Sequence, residues 1–484
     1  MKKKLLLLSF IEGATVMAAE LCGARLLAPV FGTSLSVWAS VMGMTLSALA
    51  LGYFYGGYLT HKHTSQHKML GVILLLASLS VCLMTLVSAQ LITVLAYFSF
   101  SYAVVLSSAS LLFLPVFLLG ASSPFFIRIQ VNTMQESGKV SGMVYAISTS
   151  GGILSTYACG FYFIPLLGIH WTLLSFGILL FFSTLLSLGM FKMQYWLGLF
   201  VILLLAFNTG HKEKNVLLSQ GLMGELEVKE MTLESKKIRV LSVNGIIQTE
   251  MDLKTRRSHS AYIQLMDSLI GRNGRGFKKA LVLGLGGGLI CNRLFEKGFY
   301  TTAVELDTRI IEVAQRFFYL NPKIQLVQGD ARYFLNQNQK VFDLLLVDLY
   351  KSEELPAHVL TLESLTRLHG LLSDSARILI NWHGYLQGEL GQGSRILYNT
   401  LRKSGFETVI CSNSADPDSR NLIFVASKHL PSLLAYRLNE DIAETDQLNT
   451  DDAPVLETAN AAAEKRWRLN YLKYNLSQKE GLSK

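Results

Sequence analysis

Charge is what this sequence has least of. Asp, Glu, Lys and Arg make up 16% of its 484 residues, against 50% hydrophobic, which is too apolar for an ordinary soluble enzyme. The shortage is uneven: up to about residue 210 the chain is a series of long uncharged runs, and beyond it charge returns. Cysteine is scarce as well. Cys22, Cys82, Cys159, Cys291 and Cys411 stand far apart, and that spacing implies neither a disulfide framework nor a metal site. Basic–aromatic stripes and zinc spacings are also lacking. The net charge of +9 is therefore read as basic loops beside a membrane rather than as a nucleic-acid surface.

A membrane-spanning helix needs ~20 mostly apolar residues. Leu5–Ala28, Val37–Leu59, Leu70–Ala89, Leu91–Phe126, Val140–Leu167, Trp171–Met190 and the shorter Tyr195–Phe207 are the candidates. The first run lacks a small-residue cleavage site and reads as an uncleaved helix, not a signal peptide. Charges cluster at 61–68 ("HKHTSQHK"), over Arg128–Lys139 and at Lys192. Seven passes with the basic N-terminus inside put all three clusters inside and the C-terminal half outside. An even number of passes, with Leu91–Phe126 folding back on itself or Tyr195–Phe207 lying at the interface, puts that half in the cytoplasm. Glu20 and Arg25 fall in the first run, where charge is costly; they read either as a pair near the interface or as a lining for a polar or cationic ligand. "GYFYGGY" (52–58) carries small-xxx-small spacing at Gly52 and Gly56, which reads as helix packing.

The rest of the chain is globular. "GELEVKEM", "KKIRVLSV" and "IIQTEM" alternate apolar and polar residues, and Asn244-Gly245 between the last two is a type I′ hairpin signal. From Lys278 strands and helices alternate: "ALVLGLG", "TTAVELD", "IQLVQGD" and "FDLLLVDLY" are strands, and "ARILINW" and "NLIFVAS" follow. Such βα units predict a parallel, doubly wound sheet with ligands at the carboxyl ends of its strands. Gly284, Gly286, Gly287 and Gly288 lie between a buried strand and a helix, where backbone N–H groups can approach a nucleotide. Glu305 ends the next strand, placed to accept ribose hydroxyls. Asp330 follows the third strand, within reach of an adenine amino group, and Asp348 the fourth. A nicotinamide dinucleotide needs no carboxylate on each successive strand end, whereas an adenosyl sulfonium is favoured by them. One such carboxylate is more often a helix cap; three in register point to a nucleoside site.

These motifs in this order resemble the spermidine synthase-like aminopropyltransferases, and in particular their membrane-fused branch. "GELEVKE…VNGIIQT", "LVLGLGGG", "VELD", "QGDARYFL" and "FDLLLVD" are similar to the family in sequence order. "LPAHVLTLESL", "ILINW", "TDDAPVLE", "ELCGARLLAPVFGTSLSVW" and "LPVFLLGASSPFFIR" are similar to the fused branch. The resemblance implies an α-helical transmembrane bundle over 1–210, a small β-hairpin domain over 211–255, and an α/β Rossmann-like domain of the S-adenosylmethionine-dependent methyltransferase type over 256–484. It implies transfer of an aminopropyl group from decarboxylated S-adenosylmethionine, a co-substrate and not a resident cofactor, to putrescine or a related amine. Asp348 is then the base. Gln248, Gly284, Gly286, Gly288, Glu305, Asp330 and Ala331 bind the donor, and Tyr262, which follows an insertion of about five residues, faces the amine. The partners implied are the amine, the lipid bilayer and further copies of the chain, with no nucleic acid.

Two positions depart from the family. Its glycine turn carries an aspartate, which attracts the donor's ammonium, where this chain has Gly287. A second aspartate that grips the amine is replaced by Lys351, with Glu353 and Glu354 nearby as substitutes. Two alternatives therefore stand beside the aminopropyltransferase: an S-adenosylmethionine-dependent methyltransferase on the same scaffold, and a transporter or sensor with a nucleoside-binding regulatory domain.

Overall fold

The computed structural model describes residues 2–31, 35–62, 65–95, 100–189, 215–221, 223–233, 236–270, 278–349, 357–383, 385–418, 420–430, 437–438, 440, 442–443 and 445–481. The chain divides into two compact units, Met1–Leu226 and Glu227–Lys484.

The first unit is helical: α1 (Lys2–Phe31), α2 (Leu35–Lys62), α3 (Gln66–Leu95), α4 (Phe100–Gln130), α5 (Ser137–Ala158) and α6 (Ile164–Leu188). Among the described residues, five helical stretches are long and apolar enough to cross a membrane, the last being Met134–Leu188. That last stretch has 55 residues, about 80 Å as a straight helix against a ~30 Å hydrocarbon core. It is interrupted at Gly168, whose φ of 79° and ψ of 171° leave the helical region. Leu91–Phe126 is divided between two helices that pack together: α3 continues to Leu95, and α4 begins at Phe100 and runs as one helix through Pro115 and Pro124 to Gln130, so Phe100–Phe126 does not make two passes of its own. The candidate pass Tyr195–Phe207 lies outside the described residues.

Small residues set the helix crossings, as the spacing at Gly52 and Gly56 predicts. A Cβ on Gly52 would lie 2.4 Å from the Phe117 carbonyl oxygen, and one on Gly56 2.3 Å from that of Ala121, so α2 and α4 meet backbone to backbone. Gly13 and Gly151 do the same for α1 and α5, their Cβ positions falling 2.0 and 2.1 Å from the carbonyl oxygens of Ser148 and Phe10. Beside this crossing Glu12 is 2% exposed, and its Oε2 accepts a 3.0 Å bond from Ser148 Oγ. Sequence reading had singled out Glu20 and Arg25, which are only half-buried.

β1 (Asn215–Gly221) comes next, and the division between units falls inside β2 (Gly224–Leu233). In the second unit β2, β3 (Lys236–Val243) and β4 (Ile246–Asp252) lie side by side. β3 and β4 form an antiparallel hairpin, with Asn244 at φ 50° and Gly245 at φ 76°, the two positive values a type I′ turn requires. The chain continues through α7 (Ala261–Ile270), β5 (Lys278–Leu283), α8 (Leu289–Glu296), β6 (Phe299–Glu305), α9 (Thr308–Phe317), β7 (Gln325–Gln328), α10 (Ala331–Gln337), β8 (Phe342–Val347), α11 (Leu362–Gly370), β9 (Leu372–Trp382), α12 (Gln392–Lys403), β10 (Glu407–Ser412), β11 (Leu422–Ser427) and α13 (Leu456–Gly481).

β5 to β11 make one seven-stranded sheet in the order β10-β11-β9-β8-β5-β6-β7. β7, β6, β5, β8 and β9 run parallel, as expected. β11, the strand added by "NLIFVAS", runs antiparallel to both β9 and β10. The connection 413–421 is too short for the crossover a parallel neighbour needs, so the chain returns as a hairpin. Both faces are buried: Leu281, Leu283, Val347 and Ile380 pack to one side, Ala280, Val282, Leu346 and Leu379 to the other. Such double burial is why these strands read as continuous apolar runs.

Candidate active site

Strand order reverses at β5, which pairs with β6 on one side and β8 on the other. A doubly wound sheet opens a crevice at the carboxyl ends of its strands there. The turn after β5 and Asp348 after β8 both fall at that point. Gly284 takes φ 89°, and a Cβ on it would lie 2.0 Å from the Asp348 carbonyl oxygen. Only glycine allows that backbone and that approach. Gln248, Tyr262, Gly284, Gly286, Gly288 and Asp348 line one cavity. The structure thus gathers six of the residues singled out from sequence.

Glu305 is buried, 9% exposed. Its Oε2 accepts a 3.0 Å bond from the Leu285 amide in the glycine turn, and its Oε1 a 2.9 Å bond from the Asp307 amide. The carboxylate is thereby fixed between the ends of β5 and β6. Burial pushes its pKa up, against the lowering effect of the Asp307 and Leu285 amides. Asp330 and Ala331 stand apart from the cavity lining. Asp330 caps α10, its Oδ1 accepting from the Tyr333 amide at 2.8 Å, while Oδ2 lies 3.3 Å from His358 Nε2. The capping role weighed against ligand binding for such carboxylates is thus present at Asp330.

Asp348 is held at both carboxylate oxygens. Tyr262 donates its hydroxyl to Oδ2 at 3.1 Å, and Asn381 donates its amide to Oδ1 at 2.9 Å. Asn421 in turn donates to Asn381 Oδ1 at 3.0 Å. Desolvation raises the Asp348 pKa, while the Asn381 and Tyr262 donors pull it down. The Tyr262 hydroxyl is pushed well above its usual value by burial and then by Asp348, so it remains a donor. A carboxylate in this setting is an acceptor-only group aimed at the cavity, suited to taking a proton.

Several residues here escaped the sequence reading. Asn381 sat unremarked inside "ILINW", where a polar side chain ending an apolar parallel strand was the available signal. Thr249 holds the turn from outside: its Oγ1 accepts from the Gly287 amide at 2.8 Å. Glu250, on the same strand, has its pKa raised by burial. Tyr471 on α13 accepts from the Ile247 amide at 3.0 Å and donates to the Gly245 carbonyl at 3.3 Å, tying down the hairpin that carries Gln248. Lys351, Glu353 and Glu354 lie outside the described residues. No group of three or more metal-ligating side chains occurs among the described residues.

No protein-family model matches the chain. A polyamine aminopropyltransferase of Vibrio vulnificus is 32% identical over 112 residues, 22% of this chain and 37% of that protein. An N-terminal histidine N-methyltransferase of Emericella nidulans is 29% identical over 168 residues, 33% of this chain and 29% of that one. The chain thus spans about a third of the length of these curated relatives. Among solved structures, a probable spermidine synthase from Corynebacterium glutamicum aligns with a TM-score of 0.37 at 17% identity, over 45% of this chain and 79% of that one. Human methyltransferase-like protein 13 in complex with SAH aligns at 0.31 and 16%, over 43% and 93%.

Proposed function

We propose that this chain, a homologue of the spermidine synthases, is a membrane-bound polyamine aminopropyltransferase that uses decarboxylated S-adenosylmethionine as donor and putrescine or a related amine as acceptor. The observation that carries the reading is Asp348, held by Tyr262 and Asn381 in the cavity formed by the glycine turn and Gln248. In the reaction an amine lone pair attacks the aminopropyl carbon next to the sulfonium. The N–C bond forms as the C–S bond breaks, methylthioadenosine leaves, and the proton shed by nitrogen goes to Asp348. Much of the acceleration comes from holding the two reactants in line, and the base adds its part. Glu305 holds the ribose, Asp330 with Ala331 the adenine, and Gly284, Gly286 and Gly288 bring backbone up to the nucleoside. Tyr262 faces the amine.

A second reading, methyl transfer from intact S-adenosylmethionine, is favoured by one observation. A Cβ on Gly287 would lie 2.6 Å from Thr249 Cγ2 and 2.9 Å from Phe318 Cδ1. The family's aspartate has no room there, so no carboxylate at this point attracts the ammonium of the decarboxylated donor or repels the carboxylate of the intact one. Calorimetric titration of the detergent-solubilised protein with both donors separates the readings. Preference for the decarboxylated form, with methylthioadenosine released on adding amine, supports the first; preference for the intact form supports the second.

Placement at the membrane follows from the five apolar stretches. If the break at Gly168 divides the last of them into two passes, six passes precede residue 189. Tyr195–Phe207 spans about 20 Å as a helix, short of the ~30 Å core, and lies at the interface in this reading. The basic N-terminus, the 61–68 and Arg128–Lys139 loops and the catalytic domain then share the cytoplasmic side, where adenosyl sulfonium donors are made.

A further inference from the structure

The segment "KTRRSH" (254–259), between β4 and α7, takes no part in the chemistry above. It forms one wall of a cavity of about 440 Å³, whose other walls are α8 and the loop after α9. That volume is typical of a small-molecule site. Its lining is basic: Arg256, Arg257 and Arg293 stand against one carboxylate, Glu296. Arg257 Nη1 lies 2.7 Å from Glu296 Oε2, and Arg293 is shared between Glu296 and Asp267. Among the described residues no carboxylate pairs with Arg256. Its guanidinium instead lies over the ring of Tyr319, with Cζ 4.1 Å from the centroid.

Arg256 and Tyr319 both have φ 56°, a left-handed conformation that side chains other than glycine, Asn and Asp seldom adopt. Each is pinned. The Arg256 amide donates to the Asp252 carbonyl at 2.8 Å, and Asp252 Oδ1 takes the amides of Lys254 and Thr255 at 2.8 and 2.7 Å. On the other side Asn292 Nδ2 donates to the Tyr319 carbonyl at 3.1 Å, and its Oδ1 accepts from the Asn321 amide at 2.9 Å. Two strained residues locked by their surroundings and stacked on each other are a feature that clusters at ligand clamps.

We propose that this cavity binds a small ligand carrying phosphate or carboxylate groups, with the Arg256 guanidinium as its principal contact and Arg257 and Arg293 in support. A planar guanidinium presents two parallel N–H donors to such an oxyanion, and stacking on Tyr319 keeps the fork from swinging. The site adjoins the nucleoside turn. Phe318 and Leu320, which flank Tyr319, press on Gly287 and Gly288, their side chains 2.9 and 2.5 Å from the Cβ positions there, and Ser258 lines both cavities. The binding itself does not depend on which donor the enzyme uses.

The test is calorimetry on the full-length protein in detergent at constant ionic strength. Pyrophosphate and citrate serve as separate probes for phosphate and carboxylate recognition. At least one should bind the wild type, with affinity falling tenfold or more in Arg256→Ala and by a smaller factor in Arg256→Lys, which keeps the charge and loses the fork. Nucleoside binding, measured on the same samples, reports that each variant is folded. Failure of both anions to bind at millimolar concentration, or binding to a folded Arg256→Lys or Arg256→Ala protein as tight as to the wild type, would overturn the proposal.

Discussion

The side chain that Gly284 lacks would begin 2.0 Å from the carbonyl oxygen of Asp348. The glycine turn and the proposed base are thus in direct backbone contact, and neither can shift without the other. Gly284→Ala meets this contact in addition to an unfavourable φ of 89°. The combined cost is ~1–3 kcal/mol, which for a domain of this size lowers an apparent Tm by roughly 2–10 °C. Thermal unfolding followed by circular dichroism should show the loss, with nucleoside binding weakened in parallel. An unchanged melting curve would mean the turn sits differently.

Glu305 bridges the same turn to β6. Glu305→Ala removes the proposed ribose acceptor and leaves the Leu285 and Asp307 amides without their present partner. Loss of a charge-assisted bond of this kind costs ~1.5–3 kcal/mol, or about tenfold to a hundredfold in affinity. Titration with methylthioadenosine reads the effect directly, and wild-type affinity in the folded variant would remove Glu305 from the site.

Asp348→Asn keeps the shape of the side chain but cannot take a proton. Turnover should fall by ~10²–10⁴, the range for a positioned general base, while donor binding stays close to wild type. Turnover at the wild-type rate would move the base elsewhere.

The pH profile carries a sign that can be worked out. A general base works only when deprotonated, so a pKa raised by burial places the acid limb of kcat/KM above the ordinary Asp range. The Tyr262 hydroxyl is one of the donors holding that value down. Tyr262→Phe removes it and should move the acid limb to higher pH, with activity lost sooner as the solution is acidified. A limb that stays in place or moves to lower pH would show that Tyr262 does not bond to the working carboxylate.

The five native cysteines are all buried and none forms a disulfide, which leaves a clean background for labelling. Cysteines introduced at Met134, 93% exposed in the α4–α5 connection, and at Asp374, whose side chain is 90% exposed, should both resist a membrane-impermeant thiol reagent in intact cells and react after lysis. Labelling of the Asp374 position in intact cells would put the catalytic domain outside, away from its donor.

Where chemistry and backbone geometry coincide, the sequence was readable. Asn244-Gly245 announces a turn because few other residues accept two consecutive positive φ values, and the glycine turn after β5 stands out because backbone there touches backbone. The parallel strands showed as apolar runs for the same physical reason that they are buried on two faces. What stayed hidden depends on distance along the chain. Asn381 is one asparagine among many until β9 places it against Asp348, and Glu12, a charge in the first apolar run, shows no partner until α5 brings Ser148 to it. The direction of β11 was also hidden, because it follows from the length of a loop and not from any pattern within the strand.

The bond between Tyr471 and the β3–β4 turn has a consequence for the order of events during synthesis. Ile247 and Gly245 leave the ribosome more than two hundred residues before Tyr471. In between, every strand of the seven-stranded sheet is made. The apolar helices, the hairpin and all seven strands of the sheet are therefore translated while the hairpin that carries Gln248 still lacks its final anchor. That anchor becomes available only when α13 is translated. A chain stalled or clipped before Tyr471 would be folded in most of its parts yet loose at its active site.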